Sequence, residues 1–187
     1  MKTTLRLVTL SLLVLATLGC SENEAADQAG DSGVLLDVDW ASTGGSIPFR
    51  VSVNDSDNLR IGTITISSLV AEPGGNTSTL MDVELESMEV RFTRGDSGTR
   101  VPPPYVVNVL GTVPVNGTLT LQNWDVMSFE QLRTPPLSDL LFENGGFDKE
   151  TGSTIIRLNL ITRVYGTTRG GAEVASKPRI QTIEFTQ

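Results

Sequence analysis

The chain contains no histidine among its 187 residues, and this absence removes several kinds of enzyme at once. Ser-His-Asp and Cys-His nucleophilic mechanisms need an imidazole base, and the usual catalytic zinc sites are built on histidine. Acid–base catalysis by histidine near neutral pH is excluded for the same reason. The absence of histidine therefore excludes most of the common hydrolytic mechanisms.

Cysteine is almost as scarce, because Cys20 is the only one in the chain. A single cysteine cannot form an internal disulfide, and it cannot hold an iron–sulfur cluster by itself. Phosphate-binding glycine motifs are missing too, since the sequence has neither GxGxxG nor GxxxxGK[ST]. We therefore expect a protein that is not an enzyme and that carries no cofactor.

Basic residues are outnumbered, with 14 Lys and Arg against 22 Asp and Glu, for a net charge of −8. Two of the basic residues, Lys2 and Arg6, lie in the first nineteen positions, so the remainder of the chain carries 12 minus 22, or −10. Nucleic-acid binding requires a basic surface, and attraction to anionic lipid does as well. We therefore expect this protein to bind neither nucleic acid nor, by charge, anionic lipid.

Aromatic side chains make up only 5% of the chain, which leaves few to form a sugar-binding platform. Trp40 and Trp124 extend apolar strand patterns, and we expect both in the core. A pair of carboxylates can hydrolyse a glycosidic bond without histidine. The alternative function is therefore a calcium-dependent or carboxylate-dependent protein that binds or cleaves glycans.

The N-terminus is the strongest positive signal. Lys2 and Arg6 precede an almost wholly apolar run over residues 7–18, and no acidic residue occurs before Glu22. This is the pattern of a secretory signal. An apolar run of about twelve residues is shorter than the roughly 20 that cross a bilayer core, so we expect cleavage and not a permanent membrane span.

The end of this segment, Thr17-Leu18-Gly19-Cys20, resembles the lipobox of bacterial lipoproteins. The resemblance implies a signal peptide over residues 1–19 and lipid attachment at Cys20, the new N-terminus. It also implies residence in the cell envelope. Because Ser21 stands where an aspartate would favour the inner membrane, the outer membrane is the better expectation. The alternative is an ordinary secretory signal with a cysteine near its cleavage site.

Residues 20–33 follow as an acidic segment with no basic and no large apolar side chain, so nothing in it drives burial. We predict a flexible tether, and its last thirteen residues reach at most about 45 Å. Residues 34–187, about 150 residues, suit one domain with a core of its own. Its partners are expected to be an envelope protein or a glycan, with the lipid holding it to the membrane.

Within this domain apolar and polar residues alternate, which is typical of antiparallel strands with one face in water. The alternation predicts strands over residues 34–40, 49–53, 59–69, 81–92, 105–115, 118–123, 156–164 and 179–185. In the fourth of these the apolar phase shifts near residues 86–88, which predicts a bulge. The sequence thus predicts an all-β, immunoglobulin-like Greek-key sandwich of seven to nine strands, without the Cys, Trp, Cys framework of true immunoglobulin domains.

Two connections carry specific predictions. Asn116-Gly117 between apolar residues is the strongest hairpin signal in the chain. Residues 128–144 break the strand rhythm, and Thr134 as a cap with Pro135 in a first turn predicts one or two helical turns over residues 137–142. The alternative for this stretch is an irregular connection that covers an open end of the sandwich.

Four acidic residues are candidate calcium ligands, because hard oxygen donors need no histidine. Asp55 and Asp57 lie in one Asx-rich turn, and Asp148 and Glu150 lie in another loop. The alternative is that these are ordinary turns. Separately, the run Arg94-Gly95-Asp96-Ser97 resembles the integrin-binding tripeptide, which makes Arg94 and Asp96 candidates for an interaction loop. A polar turn explains the same residues.

Overall fold

The fold is taken from a computed structural model, which describes residues 32–40, 50–72 and 74–187. The predicted signal peptide, Cys20, the tether as far as residue 31 and Phe49 of the second predicted strand lie outside the described residues. Within the described ranges, every helix is too short or too polar to cross a membrane.

Strands dominate the described residues, which confirms the all-β expectation. They are β1 Val34–Asp39, β2 Arg50–Ser52, β3 Leu59–Val70, β4 Val83–Arg94, β5 Tyr105–Val113, β6 Thr118–Met127, β7 Ile156–Thr168, β8 Glu173–Ala175 and β9 Arg179–Thr186. The helical segments are α1 Phe129–Leu132 and the 3-10 helices Thr79–Met81, Leu137–Leu140 and Phe142–Asn144.

The strands form two sheets. Sheet A has three strands in the order β1-β3-β6, and sheet B has the order β2-β9-β7-β4-β5, with β8 paired to β7. Strand β2 runs parallel to β9, and the other pairs are antiparallel. The longest ladder, β4 with β7, lies in the middle of sheet B, where both strands are covered by neighbours.

The core consists of the inward-facing residues of both sheets, as the alternation predicts. Trp40 and the three alternate residues before it in β1 are at most 2% exposed, and the alternate residues Ile156, Leu158 and Leu160 of β7 are fully buried. Each such side chain stabilises the fold by roughly 1.5–3 kcal/mol through burial. Trp124 was also expected in the core, but its side chain is only partly buried and packs against the core from its edge.

The predicted bulge in β4 is present. The pairing of β4 with both of its neighbours shifts register between Leu85 and Ser87. Against β7 the extra residue is in β4, whereas against β5 it is in β5, where residues 109 and 110 face residue 86. Leu85 on one side of the shift and Met88 on the other are at most 4% exposed, so the bulge of β4 restores the inward phase. After the shift the inward positions of β4 continue at every second residue to its end at Arg94.

The predicted Asn116-Gly117 hairpin is wrong, because β5 belongs to sheet B and β6 to sheet A. The turn instead carries the chain from one sheet to the other. The Gly117 amide donates to the Pro114 carbonyl at 2.8 Å. Asn116 alone of the two central residues, Val115 and Asn116, has a positive φ, of 56°. A tight two-residue hairpin of type I′ needs a positive φ at both of its central residues, so this geometry lets the two strands diverge.

The connection from β6 to β7 contains short helical turns, as predicted. The predicted cap, Thr134, was wrong, because Pro136 precedes the 3-10 helix Leu137–Leu140 and no side chain caps it. Ser128 caps α1, and its side chain accepts from the amide of Gln131 in a reciprocal capping box. The 3-10 helix Leu137–Leu140 falls inside the predicted range, and Gly145, with a φ of 115°, ends the next turn. Leu137 and its apolar neighbours close the core, whereas Phe142 is 84% exposed.

The sandwich has two distinct ends. We call the end where β1 begins the tether pole; there Val34 pairs with Val70, and the turn at Asn116 contacts Val70. We call the opposite end the loop pole; it holds residues 95–104 between β4 and β5 and residues 128–155 between β6 and β7. The chain that precedes β1 therefore joins the domain at the end opposite these two long connections.

Candidate functional site

Charged side chains that the sequence scatters over more than fifty positions meet at the loop pole. We call this group the ion cluster, and its members are Arg94, Asp96, Arg100, Asp139, Asp148, Lys149 and Glu150. Its ion pairs connect the end of β4, both long connections and the 3-10 helix Leu137–Leu140. The cluster is the densest concentration of charge in contact among the described residues.

Arg94 enters the cluster because of its place on β4. It follows Met88, Val90 and Phe92 on the inward side of the strand, so its side chain continues the core face past the last apolar residue. Only 3% of the side chain is exposed. A charge at that depth needs a partner, because an unpaired buried cation is strongly unfavourable.

The guanidinium of Arg94 has such partners on three sides. Nη2 lies 2.7 Å from Asp148 Oδ2, and Nε lies 2.7 Å from Asp96 Oδ1. Nη1 donates to the main-chain carbonyl of Arg100 at 3.3 Å. The hydrogen-bond donors of Arg94 are thus occupied by groups of the same chain, and a partner protein could reach them only by displacing these contacts.

Asp148 is the buried carboxylate opposite Arg94, with none of its side chain exposed. Besides Arg94, it accepts from the Thr151 hydroxyl at 2.7 Å and from the Glu150 amide at 3.1 Å. Burial by itself raises the pKa of Asp148, but the hydrogen bonds from Arg94, Thr151 and the Glu150 amide together outweigh it and lower that pKa to about 2. Asp148 is therefore ionised throughout the physiological range.

Arg100 extends the cluster toward the surface. Its Nη2 lies 2.6 Å from Asp139 Oδ2 and 3.4 Å from Asp148 Oδ1. Glu150 accepts from the main-chain amides of Thr99 and Arg100, at 2.8 and 3.0 Å. The hydroxyl and amide of Thr99, with the Arg100 amide, hold the pKa of Glu150 below its ordinary value.

The chemistry open to the cluster follows from these contacts. Four carboxylates face three cations, which leaves a net charge of −1. For Asp96, burial raises the pKa, yet the hydrogen bonds from Arg94 and the main chain bring it below the ordinary value. General acid catalysis near neutral pH needs a carboxyl whose pKa is raised. The pKa values of Asp96, Asp148 and Glu150 are shifted the other way, and the hydrogen bonds that lower them hold the two long connections together.

Of the six residues singled out from the sequence in the domain, the structure brings four into this one cluster: Arg94, Asp96, Asp148 and Glu150. Asp55 and Asp57 lie apart from them, exposed in the turn between β2 and β3. Across the described ranges, no three acidic side chains come together in a way that could hold a metal ion. The oxygens of Asp148 and Glu150 instead accept from arginines, hydroxyls and amides.

Three members of the ion cluster were not predicted from the sequence as site residues: Arg100, Asp139 and Lys149. Asp139 lies on a helical turn that was predicted only for its apolar residues, and it is 39 positions from Arg100. One signal was available, however. The inward phase of β4 runs on to Arg94, so the alternation itself marks that arginine as a buried charge that requires an acidic partner.

A shallow groove of about 290 Å³ adjoins the cluster, lined by Asp96, Ser97, Thr151, Ser153, Ile155 and Arg157. Two of its three hydroxyls already serve the fold, because Thr151 donates to Asp148 and Ser153 donates to the carbonyl of Ile155. Ligand pockets usually hold about 300–1,000 Å³ and are mainly apolar, so the volume of this groove is at the lower limit of that range while its lining is more polar.

Two exposed phenylalanines of the loop pole lie on the connection from β6 to β7, which also carries Asp139 and Asp148 of the ion cluster. Phe142 is 84% exposed and Phe147 is 44% exposed, on either side of Gly145 and Gly146, which both have a positive φ. The loop that follows is fixed through Asp148. Aromatic side chains, phenylalanine among them, are enriched in protein interfaces relative to the rest of the surface.

Comparison with known proteins gives no relative to reason from: no protein-family model, no curated protein and no solved structure matches the chain.

Proposed function

We propose that this chain is a lipid-anchored protein of the bacterial cell envelope, held in the outer membrane through Cys20. Its β-sandwich acts as a non-catalytic interaction or structural module. The observation that carries the proposal is the apolar N-terminal segment ending in the lipobox-like Thr17-Leu18-Gly19-Cys20. Lipidation accounts for the only cysteine of the chain, which has no second thiol with which to form a disulfide.

The two ends of the domain agree with this proposal. The chain that precedes β1 joins the sandwich at the tether pole, and the exposed Phe142 lies at the loop pole. A domain held from the first end presents the second to the space beyond the membrane. The partner we expect there is an envelope protein or a glycan, and the ion cluster holds the loops that would meet it.

We also propose that the two sheets form an immunoglobulin-like Greek-key sandwich. The support is the strand order, in which β3 lies beside β6 in one sheet while β4, β7 and β9 are successive neighbours in the other. In an immunoglobulin domain strands B and E are neighbours, as are C, F and G. Strands β3, β4, β6, β7 and β9 correspond to B, C, E, F and G in chain order.

The test of the anchor is the variant Cys20→Ser, expressed in a bacterial host with its N-terminal segment intact. We expect the protein to move from the membrane fraction to the soluble envelope fraction and to lose incorporation of a labelled fatty acid. The matched control is Ser21→Ala, which leaves the cysteine in place and should behave as the wild type. If Cys20→Ser stays in the membrane fraction and keeps its label, the proposed anchor is wrong.

A further inference from the structure

A second group of charged side chains lies outside the ion cluster, in a row across three strands of sheet B. We call it the arginine row; its members are Arg50 of β2, Glu184 of β9 and Arg157 of β7, which are directly paired. Ile156 and Leu158, on either side of Arg157, are fully buried, so the row lies on the outer face of the sheet. With two cations and one anion, the row has a net charge of +1 in a chain whose net charge is −8.

Glu184 holds the two guanidinium groups of the row in place. Its side chain is only 5% exposed, whereas those of Arg50 and Arg157 are 61% and 54% exposed. Oε2 accepts from Nε and Nη2 of Arg50 at 3.3 and 2.9 Å, and Oε1 accepts from Nε of Arg157 at 2.9 Å. These hydrogen bonds from Arg50 and Arg157 hold the pKa of Glu184 below its ordinary value, so it is ionised at neutral pH. The carboxylate therefore fixes both cations while they stay open to solvent.

Arg157 keeps most of its donors for a ligand. A guanidinium has five N–H donors in a planar fork, and within the described ranges Arg157 uses only the one on Nε. Its Nη1 and Nη2 can therefore bind both oxygens of a carboxylate. The main chain of Arg157 is also fixed, because its amide donates to Asp96 Oδ2 at 2.9 Å and its carbonyl accepts from the Gly95 amide at 2.8 Å. A group already held in place loses little freedom when it binds.

The groove of about 290 Å³ described above is lined by Arg157, and its other polar groups suit the hydroxyls of a sugar. Ser97 is exposed, and among the described residues nothing donates to its hydroxyl or accepts from it. Asp96 Oδ2 accepts only the Arg157 amide, which leaves it a free lone pair. Ile155 adds an apolar contact for the C–H groups of a ring. No aromatic side chain lines the groove, so a charged contact has to orient the ligand.

We propose that this groove binds an acidic sugar, a pyranose unit that carries a carboxylate. The carboxylate binds to Nη1 and Nη2 of Arg157, and hydroxyls of the ring bind to Ser97 and Asp96. A groove at the lower limit of ligand-pocket volumes suits one such unit. This inference rests on the proposed role of the loop pole as an interaction surface for a glycan, and it does not depend on the lipid anchor.

The acidity of the whole chain does not oppose one bound carboxylate. At physiological salt the Debye length is about 8 Å, so the charges of distant acidic residues are largely screened. The two acidic side chains at the site, Asp96 and Glu184, are already paired with arginines, at 2.7 and 2.9 Å. The charge left over at the site is therefore the positive one of the arginine row.

The test is calorimetric titration of the full chain carrying Cys20→Ser with D-galacturonate. For a ligand of this size we expect a dissociation constant on the order of 1 mM. D-galactose, which lacks the carboxylate, and acetate, which lacks the ring, should each bind at least about tenfold more weakly. No binding of galacturonate, or equal binding of acetate, would overturn the site. Either result would leave the anchor to be decided by membrane fractionation.

Variants locate the binding. Arg157→Gln should weaken binding of galacturonate at least about tenfold, and Arg157→Lys, which keeps the charge without the fork, should also bind less tightly than the wild type. The matched control is Arg60→Gln, because Arg60 is also 54% exposed and donates from Nε to a carboxylate, that of Asp125 on sheet A. It should bind as the wild type does, and equal effects of Arg157→Gln and Arg60→Gln would contradict the proposal.

The groove has its own variant, Ser97→Tyr, whose ring would fill it without changing its charge. Since Ser97 is exposed, this variant should keep the melting temperature of the wild type, and its loss of binding would not reflect unfolding. If Ser97→Tyr binds galacturonate as tightly as the wild type, the sugar does not lie in this groove and the proposal is wrong.

Discussion

Arg94 offers the sharpest test of the ion cluster, because it is a buried cation whose removal leaves a buried anion behind. The perturbation is Arg94→Met, which keeps an apolar stem along the core face and removes the guanidinium. Asp148, with none of its side chain exposed, then loses its contact at 2.7 Å, and Asp96 loses another at the same distance. Breaking a buried ion pair from one side destabilises a protein by about 3–5 kcal/mol.

The assay is urea unfolding at pH 7, followed by the fluorescence of Trp40 and Trp124. With a denaturant slope of about 2 kcal/mol per molar urea, a loss of about 4 kcal/mol lowers the midpoint by about 2 M. The double variant Arg94→Met with Asp148→Asn removes both charges. It should lose less stability than the sum of the two single variants, with a coupling of about 1–3 kcal/mol.

The matched control is Arg91→Met, three positions earlier on the same strand. Arg91 also pairs with a carboxylate, Glu89, at 2.9 Å, but its side chain is 65% exposed. Exposed pairs contribute little, so we expect the midpoint of this variant to stay near that of the wild type. If Arg94→Met and Arg91→Met lower the midpoint equally, the cluster is not a buried structural unit and the reasoning fails.

Two further predictions concern pH and close packing. The pKa of Asp148 in the folded state, about 2, lies below its ordinary 3.8, so the stability of its contacts is complete above about pH 4 and is lost as pH falls toward 2. From pH 4 to pH 2 the wild type should lose about 2 kcal/mol more than Asp148→Asn in urea unfolding, and parallel losses would contradict this. Gly166→Ala should cost about 1–3 kcal/mol, because the new Cβ would overlap the carbonyl oxygen of Glu84. Gly170→Ala, whose nearest atom would lie 3.4 Å away, is its control in the same thermal unfolding measurement, and equal melting temperatures would refute the close approach.

The strands were predictable because their signal is local. Alternation over residues 59–69 and 179–185 gives β3 and β9 to within one residue, and the phase change at residues 86–88 gives the bulge of β4. Each of these depends only on which side chains need to face the core. The sheet to which a strand belongs is a different kind of information, and the turn at Asn116 shows the difference. An Asn-Gly pair predicts a turn, but the contacts of β5 with β4 and of β6 with β3 decide where the turn leads.

The candidate site was half predictable for a similar reason. Asp148 and Glu150 drew attention as calcium ligands because carboxylates are visible in a sequence. Their actual partner Arg94 is 54 positions away from Asp148, and no local pattern connects the two. The lipid attachment at Cys20 remains a prediction from its local motif alone.

The position of Arg94 on the inward side of β4 also bears on how the strand finds its alignment. After the bulge near Ser87, a slip of two residues against β7 would keep Met88, Val90 and Phe92 on the inward side of β4. Such a slip would move Arg94 roughly 7 Å along the strand, and it would leave Asp148 buried without its counter-charge. The ion pair therefore penalises the in-phase misalignment that hydrophobic burial discriminates against least.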